Sequence, residues 1–147
     1  MFYLISIGVP IFLYFGLPKL LGASKHKGWL LLACVLFFVS WFLPSPEIHG
    51  RDTSFTTHFV GGGIFCGFLW LYLLKAIRPK FSSRWLEPLS LFALVCMLGV
   101  VNELFEIFLF ELGRMSFGIT DTSWDLLANT LGALIFYGAY KAWQRTQ

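Results

Sequence analysis

Three stretches of this chain hold residues that could do chemistry. Gly99, Asn102, Glu103 and Glu106 sit in one apolar run and, at about 100° per residue, share an arc of ~100° on a helix. Two carboxylates one turn apart repel, so one holds a proton or both share a cation. Asp121, Asp125, Asn129 and Gly132 follow at i, i+4, i+8 and i+11, a narrow stripe with Ala128 beside it. Small residues there admit a second helix closely, and polar ones bond across it. His58 opens a glycine-rich segment containing Gly61-Gly62-Gly63 and Gly67. Imidazole with carboxylates is a ligand set for divalent metals and for general acid–base work. His58, Glu103, Glu106 and Asp125 are therefore the expected catalytic residues and the candidate metal ligands. Arg51, Arg114, Asn102, Asp121 and Asn129 are the expected substrate-binding residues; the residues leave the cofactor open, with a divalent metal ion as the candidate. Each has a plainer alternative: His58 bonded to Asp125 or to a carbonyl, Glu103 and Glu106 paired with Arg114 or Arg51, Asp121 or Thr122 as a helix N-cap, and the glycines as packing sites.

The elements that position these groups are apolar. Of 147 residues 57% are hydrophobic, 17 are Phe and only 13% are charged, against roughly 25% charged in a soluble domain. This excludes a water-soluble globular domain and a disordered tail. A net charge of +3, scattered along the chain, excludes nucleic acid as a partner. Membrane lipids are the expected surroundings. The fold class that follows is all-α, a polytopic transmembrane bundle forming a single membrane domain over residues 1–147. Five spans are expected at about 2–21, 29–43, 55–74, 86–110 and 123–143, each approaching the ~20 residues that cross a bilayer. The second is short and calls for a thinned region. Pro10 predicts a kink. The first cation, Lys19, follows the apolar stretch, so that stretch reads as a retained helix rather than a cleaved leader. Cys34, Cys66 and Cys96 lie in apolar runs and read as packing residues.

Charge sets the expected orientation. Lys19, Lys25, Lys27, Lys75, Arg78, Lys80, Arg84, Lys141 and Arg145 fall at one face; only Arg51 and Arg114 fall at the other. The positive-inside rule puts the N-terminus outside and the C-terminus in the cytoplasm, in the plasma membrane. Every acid except Glu87 maps to the outer face, with His49 and His58.

His58-Phe59 at a helix start, Asn102-Glu103-Leu104-Phe105-Glu106, and the run from Asp121 through Asp125, Asn129-Thr130 and Gly132-Ala133 together resemble the VanZ-like membrane proteins or a neighbouring subfamily. The resemblance covers the last three helices. VanZ-like proteins usually carry Gln at the place of Glu106, with an Arg soon after it. The family's link to resistance against teicoplanin-type glycopeptides implies a cell-envelope role. Three functions are compatible with the residues. One is an enzyme acting by phosphate hydrolysis or group transfer on an anionic lipid or lipid-linked envelope precursor. The second is a non-enzymatic binding or accessory protein for envelope lipids or glycopeptide antibiotics. The third is a small ion or proton carrier. A fainter likeness to the small membrane diacylglycerol kinase is set aside, because that enzyme draws nucleotide from the cytoplasm.

Overall fold

Proline punctuation and apolar run length divide the chain into five helical rods. The computed structural model describes residues 2–48, 51–113 and 119–147; side chains are described from Ile7 onward, apart from Ile48, Arg51 and residues 119–121. His49 and Arg114 lie outside the described residues.

Helix α1 covers residues 2–20. It is α-helical over Phe2–Ile11, widens to a π-helix over Phe12–Gly16, and closes as α over Leu17–Leu20. Pro10 lies inside the first part. Its carbonyl accepts a 3.4 Å bond from the Cys34 thiol of the next helix. Helix α2, Lys27–Ser40, begins and ends earlier than the hydropathy suggests. The Leu43-Pro44-Ser45-Pro46 run explains its end, since a residue before proline avoids the α region. At about 1.5 Å per residue its 14 residues fall short of a ~30 Å hydrocarbon core.

The following connection is not plain loop. Glu47–Ile48 (β1) pairs antiparallel with Arg51–Asp52 (β2), Glu47 opposite Asp52, a small departure from the all-helical expectation. Thr53 closes the hairpin, its hydroxyl donating to the Pro46 carbonyl at 2.8 Å.

Helix α3, Phe55–Ile77, is the centre of the bundle. Phe65, Cys66, Leu69, Trp70, Leu71 and Tyr72 are all buried along it, packed with Leu30 and Ala33 of α2 and with Leu91 and Val95 of the next helix. Helices α4, Leu86–Glu111, and α5, Ile119–Gln144, complete the bundle. Helix α5 starts four residues before its expected boundary, so Asp121 and Thr122 occupy its first turn rather than the N-cap. Acidic residues suit a first turn as well as a cap, because the helix dipole favours them there.

Phe55–Ile77 and Leu86–Glu111 are long and apolar enough to cross a membrane; Ile7–Leu20 and Lys27–Ser40 are shorter apolar helices. Outward-facing Leu31, Val35, Phe38, Val100, Val101, Leu104, Phe108, Leu134 and Ile135 are all exposed. Apolar patches this extensive are not left in water by a soluble monomer.

Bonds at one end tie the cationic segments together. The Tyr72 hydroxyl donates to the Ala23 carbonyl at 2.6 Å. Trp70 Nε1 donates to Ser90 Oγ at 2.8 Å, and Lys141 Nζ meets Glu87 Oε2 at 2.7 Å. The start of α3, the end of α4 and the start of α5 meet at the opposite end.

Candidate functional site

Sequence order brings His58, Glu106 and Asp125 from three helices, and three local devices make them converge. The first anchors the start of α3. Ser45 Oγ accepts from the Thr56 N–H at 3.1 Å, and Thr57 Oγ1 donates to the Ser40 carbonyl at 3.2 Å. Ser54, in the left-handed region at φ 52°, turns the chain into the helix, and its N–H donates to Asp52 Oδ1 at 2.9 Å.

The second device is the triple glycine, where α3 becomes a π-helix over Phe59–Ile64. π-Turns inside α-helices are rare and gather at functional sites. Each glycine admits a different neighbour. A Cβ on Gly61 would overlap the Ser40 side chain, and one on Gly62 would overlap Asn129 Oδ1. One on Gly63 would stand 2.5 Å from the Asn129 carbonyl oxygen and 2.7 Å from Gly132 Cα. Absence of side chains at Gly63 and Gly132 lets the α3 and α5 backbones touch, and this seats His58 against Asp125. Gly67, four residues after Gly63, lies against the Phe136 ring.

The third device orients Glu106. Asn102, one turn earlier on α4, donates from Nδ2 to Glu106 Oε1 at 2.7 Å.

The result is a triad. His58 Nε2 lies 3.2 Å from Asp125 Oδ1, and one ligand atom from each of His58, Glu106 and Asp125 lies within 4.8 Å of the others. Asp125 is 1% exposed and Asn129 5%. With bonds of about 2.1 Å, the ligand atoms of a single ion stand roughly 3.0–3.4 Å apart. The His58–Asp125 pair already has that spacing, and the Glu106 side chain needs a modest inward swing. Mixed imidazole and carboxylate donors suit zinc, manganese or iron.

Glu103 is buried but lies outside the triad. Neither of its carboxylate oxygens, nor Thr122 Oγ1, has a hydrogen-bond partner among the described residues, while the Asn129 side chain interacts with His58. Buried polar atoms ordinarily find partners, so this part of the site has unused bonding capacity. Of the other expected residues, Asn102 supports Glu106 and Asn129 lines the α3–α5 contact. Arg51 lies in β2 and Asp121 in the first turn of α5, but their side chains fall outside the described part, and so does the whole of Arg114. The sequence reading did not single out Asn102 as an orienting group, or the π-turn. Asn102 and Glu106 are spaced i, i+4, which carries the first signal; three consecutive glycines carry the second.

A family model described as "Predicted membrane protein (DUF2238)" matches residues 54–146. The chain belongs to this family. The matched segment begins just before α3 and takes in His58, Asn102, Glu103, Glu106, Asp125 and Asn129, while Arg51 falls outside it. The DUF2238 match and the apolar helices make this a membrane protein. No curated protein and no solved structure matches the chain.

Proposed function

We propose that this DUF2238 protein is a metal-dependent enzyme of the cell envelope, VanZ-like in its site. It would hydrolyse or transfer a phosphate group on an anionic lipid or lipid-linked envelope precursor. The observation that carries this reading is the convergence of His58, Glu106 and Asp125 within 4.8 Å on three helices at one end of the bundle. A divalent cation held by these three would supply Lewis-acid polarisation and a water acidified toward neutral pH. Asn102 keeps Glu106 aimed inward. Glu103, buried with both oxygens unengaged among the described residues, is the group that takes up or returns the proton. Asp121 and Asn129 contact the substrate, and Arg51 and Arg114 attract its anionic head. All five helices cross the plasma membrane in this reading, with the nine grouped cations cytoplasmic and the site extracytoplasmic.

The unengaged acceptors on Glu103 favour one second reading, a binding or accessory protein that seats an envelope lipid or a glycopeptide antibiotic without turnover. A buried acid on a spanning helix also suits an ion or proton carrier. One experiment separates these. Metal content is measured on purified full-length protein and on His58→Ala, Glu106→Gln and Glu103→Gln, alongside phosphate release from an isoprenyl diphosphate. The enzyme reading expects about one metal per chain, lost in the first two variants. It expects Glu103→Gln to keep the metal and lose turnover. Metal-free protein overturns the metal site; metal with lipid retention and no turnover moves the protein to the binding reading.

A further inference from the structure

At the end opposite the triad, the α1–α2 connection and the C-terminal turn of α3 border an open cleft of about 370 Å³. Ser24, Lys25, His26, Lys75 and Arg78 line it, and no acidic residue does. Among the described residues Lys25, Lys75 and Arg78 enter no ion pair; the one acid on this end, Glu87, is engaged by Lys141. The wall is fixed rather than loose. The fully buried Tyr72 pins Ala23 through its hydroxyl at 2.6 Å, and the Ala23 N–H donates back to the Pro18 carbonyl at 2.9 Å.

The charge arrangement calls for an anion. Helix α2 begins at Lys27 with no acidic residue in its first turn and no side-chain cap at His26. Lys25, His26 and Lys27 therefore crowd the end of a helix whose dipole is already positive, where carboxylates or phosphates are the stabilising groups. At His26 this cleft meets a second one of about 270 Å³, lined by Gly28, Trp29 and Leu32. Leu32 is exposed on the outer face of α2. A cationic cleft adjoining an apolar surface at His26 matches a molecule with a phosphate head and a hydrocarbon tail.

We infer that the Lys25–Lys75–Arg78 cleft binds the phosphate of an anionic phospholipid, with an acyl chain running past Trp29 and Leu32. The site is separate from the triad and does not depend on the function proposed for it.

The test uses the full-length protein in neutral detergent and counts retained lipid by native mass spectrometry. Phosphatidylglycerol is compared with phosphatidylcholine of the same chains. One phosphatidylglycerol is expected to be retained in preference. Lys75→Gln with Arg78→Gln should weaken it by about fivefold for each cation removed. Lys80→Gln with Arg84→Gln, an equal charge loss outside the cleft, should leave it unchanged. Trp29→Ala should shorten retention, and excess inorganic phosphate should not displace the lipid. Equal weakening by the Lys80 and Arg84 pair would overturn the site in favour of net charge alone. Complete displacement by inorganic phosphate, with Trp29→Ala silent, would overturn the lipid and assign the cleft to a soluble phosphate compound. An unchanged helical circular dichroism spectrum confirms that each variant is folded.

Discussion

His58 Nε2 and Asp125 Oδ1 stand 3.2 Å apart although they belong to different helices. Their closeness is set one turn deeper, where Gly63 of α3 lies against the Asn129 carbonyl and Gly132 of α5. The approach of His58 to Asp125 at the end of the bundle thus depends on a backbone contact further inside it.

Gly63→Ala should therefore both destabilise the protein and disturb the triad. The added Cβ would meet backbone atoms at 2.5–2.8 Å, which cannot rotate away, so the helices must part. The expected loss is about 1–3 kcal/mol, read as a fall in thermal midpoint in detergent. Gly138→Ala, on the same α5 with nothing within 4 Å of its Cβ, should be neutral or stabilising by up to about 1 kcal/mol.

Asn102→Leu removes the donor to Glu106 and little else. Groups that orient metal ligands are typically worth about 10- to 100-fold in affinity. A drop of that size in metal affinity by competitive chelation, with the thermal midpoint held near wild type, is the expected result. Unchanged affinity would mean that Glu106 is held by other contacts.

Metal binding should release protons, because a ligating imidazole must be neutral and its carboxylate partners ionised. Affinity should accordingly fall in acid, where the ligands become protonated. Titration in two buffers of different ionisation enthalpy would reveal the proton release.

At the other end, Lys141 joins Glu87 at 2.7 Å with the two side chains 34% and 20% exposed, and it sits 5.5 Å from both the Tyr137 and Tyr140 ring centres. Partial solvent access screens this pair. A double-mutant cycle with Lys141→Met and Glu87→Gln should give a coupling of about 1 kcal/mol, smaller at high salt.

Reporter fusions test the topology. A fluorescent protein fused after Gln147 should mature in the cytoplasm, and an alkaline phosphatase fused at the connection after α2 should be active outside. The opposite pattern would invert the proposed orientation.

Much of this arrangement can be read from residue order. The five apolar rods, the shared face of Asn102 and Glu106, and the stripe from Asp125 to Gly132 follow from length and helical period. Boundaries were harder to read. Lys27 and Gly28 are not apolar, so hydropathy starts α2 too late, and Pro44 and Pro46 end it earlier than Leu43 suggests. Thr120, Asp121 and Thr122 suit a cap and a first turn equally, which hides the true start of α5. The separation of Glu103 from the triad is tertiary information. Glu103 and Glu106 share a face by arithmetic, but which one reaches His58 depends on how α4 sits against α5. The hairpin at Glu47–Ile48 is too short to leave a periodic signal.

The π-turn over Phe59–Ile64 gives α3 two independent phases. Each π-turn takes up one residue beyond the α repeat, an offset of about 100° between the faces before and after it. Phe65, Leu69 and Tyr72 keep their core register on one side, while His58 is aimed on the other by a rotation that the core does not feel. A one-residue deletion within Gly61–Gly63 would remove the extra residue and restore a continuous α-helix with both faces kept in place, whereas winding the same residues as a continuous α-helix would turn His58 about 100° away from Asp125. The hydrophobic pattern that makes this helix stable and the angle that faces His58 toward Asp125 can therefore change separately.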